Sequence, residues 1–339
     1  MRAMELIQPG PPRLALVERP SPMPGPGEVC IDVAACAVCR TDLQLATGDI
    51  TAHRSPLVPG HQVVGRISAI GAGVDPVAHA VGSRVGAAWI GSTCGRCRFC
   101  STGRENLCES AQFTGWDRDG GFADQMVARA DFVYRLPDEI PGLQLAPLLC
   151  GGAIGFRSLR IAEVDLADAA GVRLGLYGFG ASATCVIQLA VHAGCEVYVV
   201  TRSTEEQERA RRLGAVWAGS YDDVPPAPLD AAITFAPAGA VVVQALEAVD
   251  RGGIVAINAI HLDGIPAFGY ESLWLERSLR SVANVTRTDV TDFFAAAAAV
   301  PVETQIEVFD LVDANRALDS LAAGHIAGAA VLRVSESGG

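Results

Sequence analysis

Val172-Arg-Leu-Gly-Leu-Tyr177, Gly178-Phe-Gly180-Ala181-Ser182-Ala183 and Thr184-Cys-Val-Ile-Gln-Leu-Ala-Val-His192 follow one another without a break. Val172 to Tyr177 alternates like a strand. Ala183, Val186, Ile187, Ala190 and Val191 recur at the i, i+3, i+4, i+7, i+8 spacing of a helix face. A lone G-x-G-x-x-A is weak, because an ordinary tight βα turn can carry it. Between a strand and an amphipathic helix it reads as a dinucleotide fingerprint, with a pyrophosphate resting on the helix N-terminus. Gly178, Gly180, Ala181 and Ser182 are therefore candidate cofactor contacts.

Glu196-Val-Tyr-Val-Val-Thr201 reads as the second strand of the unit. A carboxylate at its end would bind the adenosine ribose hydroxyls and mark NAD(H). The chain has Thr201-Arg202-Ser203 there, with no strand-end charge to repel a 2′-phosphate, and Arg202 is able to pair with one. This favours NADP(H) over NAD(H). Ser203 with Glu206 also reads as a capping box for a helix over Thr204–Leu213. The βα rhythm continues through Ala231–Phe235, a helix over Ala240–Val249, a strand over Gly252–Ile260 and a closing strand over Leu279–Ala283. Helices near Asp289–Ala299 and Ala314–Ala323 then carry the chain back toward its first half.

A chain of 339 residues, half of them hydrophobic, has room for about two ordinary domains. The formal charge of −12 leaves no basic surface for nucleic acid, and none is expected as a partner. No apolar run reaches membrane-spanning length; the alanine-rich Phe294–Val300 is short. Met1-Arg-Ala-Met-Glu-Leu-Ile-Gln runs into Pro9-Gly-Pro-Pro without the pattern of a signal peptide. The ten cysteines are therefore read as reduced, in a cytoplasmic protein, and partly metal-bound.

Four of those cysteines lie in Cys94-Gly-Arg-Cys97-Arg-Phe-Cys100-Ser-Thr-Gly-Arg-Glu-Asn-Leu-Cys108. A loop that doubles back can offer four thiolates at these spacings to a tetrahedral zinc. An iron–sulfur cluster takes the same ligands and is the lesser alternative. A closed four-thiolate zinc has no open position, so this loop staples the fold and the chemistry lies elsewhere.

Cys36-Ala-Val-Cys39-Arg-Thr-Asp42 follows a strand-like Val29–Ala34, Val58-Pro-Gly60-His61-Gln-Val-Val-Gly65 comes next, and Pro147-Leu-Leu-Cys150-Gly-Gly-Ala lies further on. With the four-cysteine loop, these stretches make the chain resemble, over nearly its whole length, the zinc-dependent alcohol dehydrogenases of the medium-chain dehydrogenase/reductase superfamily. The resemblance implies a catalytic zinc on Cys39, His61 and Cys150, and a structural zinc on Cys94, Cys97, Cys100 and Cys108, two Zn²⁺ per chain. Two thiolates and an imidazole suit a catalytic site that keeps its fourth position open. By the same resemblance Asp42 orients His61, Thr41 takes the substrate hydroxyl proton, and Arg40 contacts the cofactor pyrophosphate. Trp89, Ile90 and Trp116 become substrate-pocket residues, and Asn258, Ala259 and His261 neighbours of the cofactor or substrate.

The chain departs from the family in three places. Gln62 stands where a glutamate usually follows the histidine, and its neutrality makes the metal a slightly stronger Lewis acid. Gln44 stands where many relatives end their proton relay on histidine, and an amide does not titrate near neutral pH. Gly328-Ala329 replaces a Gly-Arg that offers a phosphate contact.

The implied architecture is α/β. A GroES-like, partly open β-barrel catalytic domain spans 1–151 and 288–339 and carries the zinc lobe 91–110; a Rossmann doubly wound parallel-sheet domain spans 152–287. The implied function is zinc-dependent, NADP(H)-linked interconversion of a small-molecule alcohol with an aldehyde or ketone, in an assembly of two or four copies. Reduction of an activated C=C or C=N bond in a biosynthetic pathway is the alternative on the same fold, motivated by Gln44. A non-catalytic nucleotide-binding protein is a third reading, against which the Cys39, His61, Cys150 set argues.

Overall fold

A computed structural model describes residues 1–10, 13–259, 262–300 and 302–335. The chain divides into two compact units. One comprises Met1–Cys150, Thr286–Ala298 and Glu303–Gly339; the other comprises Gly151–Val285 with Ala299–Val302. Among the described residues no helix is long and apolar enough to cross a membrane.

The first unit is built on the strand Glu28–Val38, nearly all of whose residues are buried. That accounts for its weak alternation beyond Ala34, since a strand covered on both faces reads as a continuous apolar run. It pairs antiparallel with Ala329–Arg333, Val63–Ile70 and Gln125–Arg129, and its register slips at Cys30/Ile31 and Val33/Ala35. Such bulges bend a strand, so one strand can serve several neighbours in a curled, partly open barrel. The sheet extends through Arg84–Ala87 and Val133–Arg135 on one side and Ile306–Asp310 on the other. Its apolar core runs from Met4 and Ile31 to Phe122 and Leu332.

Two backbone segments close on each other beside this core. Gly120 N–H donates to Val58 O at 2.7 Å, Gly121 N–H to Gly60 O at 2.9 Å and Phe122 N–H to Pro59 O at 3.0 Å. The approach needs glycine: a Cβ on Gly120 would stand 2.0 Å from Gly60 O, and one on Gly60 2.4 Å from the Phe122 ring. Gly60 also has φ +96°, a conformation that side chains rarely adopt.

The second unit holds six parallel strands: β1 Arg173–Tyr177, β2 Glu196–Val200, β3 Trp217–Gly219, β4 Leu229–Thr234, β5 Val249–Ile257 and β6 Ser278–Ser281. Their spatial order is β3-β2-β1-β4-β5-β6. The order reverses between β1 and β4, which is the switch point where a doubly wound sheet binds ligands outside its carboxyl ends. Helices α1 Ala181–His192, α2 Thr204–Arg212 and α3 Gly239–Ala248 carry the crossovers. Two apolar clusters cover the two faces, one around Leu174, Ile187 and Ile233, the other around Tyr177, Leu246 and Val255.

Some boundaries differ from the sequence reading. β5 begins at Val249, ahead of the Gly252-Gly253 pair, with Gly252 at φ +74° inside the strand, and ends at Ile257; Ile260, the expected end, lies outside the described residues. α3 begins at Gly239 and ends at Ala248, and β6 ends at Ser281. The helix expected near Asp289 starts at Arg287.

Gly120→Ala is expected to destabilise the first unit by about 1–3 kcal/mol, the usual cost of overpacking a closed contact. Urea unfolding measures it; an unchanged midpoint would mean that the Gly60 and Gly120 segments part freely.

Candidate active site

Cys39, His61 and Cys150 come together in the first unit. Their ligand atoms all lie within 4.8 Å of one another, with Cys39 Sγ 3.3 Å from His61 Nε2. Cys39 caps the helix Arg40–Thr47: its thiol accepts the Asp42 N–H, and Asp42 Oδ2 accepts the Cys39 N–H at 2.9 Å. Asp42 Oδ1 accepts the Gly60 N–H at 3.1 Å and lies 3.4 Å from His61 Nδ1. One carboxylate thus holds both ligand-bearing segments. Asp42 is 1% exposed and His61 2%.

The charges favour a cation. The hydrogen bond from Cys150, against burial and with His61 alongside, holds the Cys39 thiol well below its ordinary range. The same bond and burial push Cys150 well above. Burial opposes a charged His61, but Cys39 and Asp42 outweigh it and raise the imidazole. Burial raises Asp42 despite the pull of His61. Two sulfurs and a nitrogen at this separation match the donor set of a zinc site, whose occupation would release protons from the thiols and the imidazole.

Thr41 and Gln44 lie on the same short helix, both partly exposed, and Arg40 at its start is exposed. Gln62 is buried, and its Nε2 donates to Ala37 O at 3.4 Å, so the amide is spent on the backbone of the central strand.

Cys94, Cys97, Cys100 and Cys108 likewise bring their sulfurs within 4.8 Å. Cys94–Cys100 is 3.9 Å and Cys97–Cys100 3.5 Å, close to the edge of about 3.8 Å that a tetrahedral zinc tetrathiolate requires. The Cys97, Cys100 and Cys94 N–H groups donate to the sulfurs of Cys94, Cys97 and Cys108 in turn. N–H bonds from Arg96 and Cys97 lower Cys94 to about 6, whereas burial and the neighbouring thiols push Cys108 up to about 11.

In the second unit, Gly178, Thr201 and Asn258 follow directly on β1, β2 and β5, along the carboxyl edge of the sheet. Gly178 has φ +91°, and a Cβ there would stand 2.9 Å from Ala236 N. A Cβ on Gly180 would meet nothing within 4 Å, and α1 has no side chain capping its N-terminus. Open space before an uncapped helix N-terminus, whose first N–H groups have no partner within the helix, is the setting that suits a pyrophosphate. Asn258 N–H donates to Thr234 O, and Ala259 follows it; His261 lies outside the described residues.

The sequence profile of the alcohol dehydrogenase GroES-like domain matches residues 25–138. The probable alcohol dehydrogenase AdhA of Mycobacterium tuberculosis is 46% identical over 341 residues, covering 98% of this chain and 97% of that one. The chain belongs to the zinc-dependent alcohol dehydrogenase family of the medium-chain dehydrogenase/reductase superfamily. An alcohol dehydrogenase of Geobacillus stearothermophilus is 32% identical over 319 residues, 91% of this chain and 92% of its own. Among solved structures, a cinnamyl alcohol dehydrogenase of Sorghum bicolor superposes with a TM-score of 0.88 at 25% identity, covering 99% of this chain and 98% of that one. This chain is thus a medium-chain alcohol dehydrogenase, an oxidoreductase.

Around His61 the dehydrogenase places an aromatic cluster. Trp89 meets the His61 ring edge-on at 4.8 Å, and Trp89, Phe113 and Trp116 lie 4.9–5.7 Å apart with their planes inclined by only 21–26°. His53 stacks on Trp116 at 4.3 Å and pairs with Asp117 at 2.6 Å. All three of the large rings are partly exposed. Ile90, by contrast, is 3% exposed and belongs to a short strand paired with Phe113, so it supports the cluster from within. Phe113 and His53 escaped the sequence reading because neither carries a motif. Glu105 escaped it too: it accepts from the Arg287 N–H at 2.9 Å and Nε at 3.3 Å, tying the cysteine lobe to the returning helix. Glu105 is buried, and its bonds from Arg287 hold the carboxyl low although burial opposes them.

The thiol order in the lobe is open to measurement. In chelator-treated dehydrogenase, iodoacetamide at about pH 7 should label Cys94 well before Cys108, because the thiolate is the nucleophile. Cys94 is thiolate above about 6, so acidification through that value should suppress its labelling, while Cys108 gains reactivity only toward about 11. Peptide mapping that finds equal rates at neutral pH would contradict the assigned N–H···S pattern.

Proposed function

We propose that this dehydrogenase is a zinc-dependent, NADP(H)-linked enzyme that interconverts an alcohol with an aldehyde or ketone. The observation that carries the reading is the convergence of Cys39, His61 and Cys150 on one point. A zinc ion held there would polarise the substrate oxygen, and a nicotinamide would accept or give the hydride. The protein's own groups do the rest. Asp42 fixes the Cys39 backbone and faces His61, so the two ligand segments are oriented before any ion arrives. Thr41 would accept the proton of the substrate hydroxyl and pass it outward along the helix face toward Gln44. Trp89, Phe113 and Trp116 would receive the carbon skeleton on their partly exposed rings. The second cysteine set would hold a structural zinc, giving two ions per chain.

For the cofactor, Gly178, Gly180, Ala181 and Ser182 would cradle the pyrophosphate, with Arg40 as a further contact. Arg202 and Ser203, exposed and half-exposed after β2, would meet a 2′-phosphate. Asn258 and Ala259 would border the nicotinamide. An assembly of two or four copies is supported by exposed Tyr270 and Trp274 in the segment leading to the sheet-edge strand β6. The deciding experiment is a panel of alcohols, carbonyls, enals and imines with NADPH and NADH, beside a zinc count. Turnover of enals or imines but not of carbonyls would replace this reading with C=C or C=N reduction.

Arg202→Ala should weaken NADPH binding by about 1.5–3 kcal/mol, the usual worth of a charge-assisted hydrogen bond, and leave NADH nearly unchanged. Equal losses for both would show that Arg202 does not read the phosphate.

Gln44→His should raise alcohol oxidation at neutral pH by roughly tenfold, since it adds a base of pKa about 6.5 where the relay would end. Carbonyl reduction should change less. Superimposable pH profiles of kcat for parent and variant would remove position 44 from the proton path.

A further inference from the structure

The end of β2 holds Thr201, uncharged and 3% exposed, yet a carboxylate reaches it. The Thr201 hydroxyl donates to Glu206 Oε2. Glu206 lies in the first turn of α2, where its N–H is taken by the Ser203 hydroxyl at 3.2 Å. A reciprocal capping box would turn the Glu206 carboxylate back to the Ser203 N–H. Here it swings to Thr201 instead, and Gln207 Nε2 fastens the same residue by donating to Thr201 O at 2.9 Å. Burial pushes the Tyr221 phenol up, while Arg202 and Glu206 act on it in opposite directions.

We propose that Glu206 is the residue that weighs NAD(H) against NADP(H) in this dehydrogenase. The inference rests on the reading of this sheet edge as a dinucleotide site. A carboxylate has about four lone-pair directions, and the Thr201 bond uses one. The remainder accept a ribose 2′-hydroxyl, the task that a strand-end acid performs where there is one. A 2′-phosphate brings about −1.5 to −2 of charge to the same spot and is repelled. Arg202 attracts that phosphate. The two residues act in opposition, so the preference for NADP(H) is smaller than Arg202 alone would set.

The test is direct binding of NADP⁺ and NAD⁺, followed by calorimetry, to the parent, Glu206→Gln and Glu206→Ala. Glutamine keeps the shape and can still accept the Thr201 hydroxyl, and Ser203 still caps the helix, so unfolding midpoints should hold. Glu206→Gln should tighten NADP⁺ roughly tenfold and weaken NAD⁺ by a smaller factor, as removal of a like charge predicts. Glu206→Ala should move NADP⁺ in the same direction. The NADP⁺ gain should shrink at about 0.5 M salt, where exposed charges are screened. Unchanged NADP⁺ affinity, or equal shifts for the two nucleotides, overturns the assignment while leaving the dinucleotide site standing. Failure of the parent to bind either nucleotide overturns both.

Discussion

Asp42 accepts one N–H from Cys39 and one from Gly60, and it faces the imidazole of the residue that follows Gly60. Hydrogen bonds to a charged group are worth about 1.5–3 kcal/mol each, and burial makes them costly to lose. The helix that presents Cys39 and the turn that presents His61 come from different parts of the sheet. The carboxylate fixes their spacing. The glycine pair at 60 and 120 performs the complementary task through shape, since no side chain fits between those backbones. Cys150 then has only to arrive beside Cys39 for three donors to surround one point. The candidate metal corner is therefore held together by a buried carboxyl group and a steric fit of the chain's own making.

The features legible in the sequence are those encoded over short spans. Cys94 to Cys108 spells its own geometry because four ligands lie in one loop. The β1 strand, the Gly178–Ala183 turn and α1 do the same through alternation followed by helical spacing. Cys39, His61 and Cys150 are separated in sequence, and only the resemblance to a family joined them on paper; in the structure they meet. What stayed hidden depends on neighbours brought by the fold. Phe113 is an ordinary apolar residue until it packs beside Trp89 and Trp116. Glu105 reads as one more surface acid until Arg287 arrives. Glu206 reads as a capping residue, and only the rotamer chosen by its side chain reveals a second use. Gly252 looked like the start of a strand, whereas its positive φ lies inside one.

Two of the departures from the family, Gln62 and Gln44, differ in their structural setting. Gln62 is buried and bonded to Ala37 of the central strand, so it replaces an ionisable neighbour by an amide that the barrel itself holds. Gln44 is partly exposed, and its backbone carbonyl, not its amide, takes part in closing the helix toward Gly48 and Ile50. Position 62 is thus tied to packing as well as to charge, while the side chain at 44 is free of the helix hydrogen bonds.

The pairing of Ala329–Arg333 with the residues 35–38 sets the order in which the chain can mature. A ribosome releases Glu28–Val38 long before its partner strand exists, so the barrel sheet waits with an unpaired edge through most of synthesis. The doubly wound unit needs only the contiguous stretch Gly151–Val285 apart from a few later residues, and can settle while the barrel is still open. Long-range pairings form slowly and leave exposed edges vulnerable to association. The cysteine lobe, with its four thiols all local, can form early. Vectorial synthesis therefore turns a topological detail into a window of vulnerability, in which a chaperone holding the barrel edge would matter more than one attending the doubly wound unit.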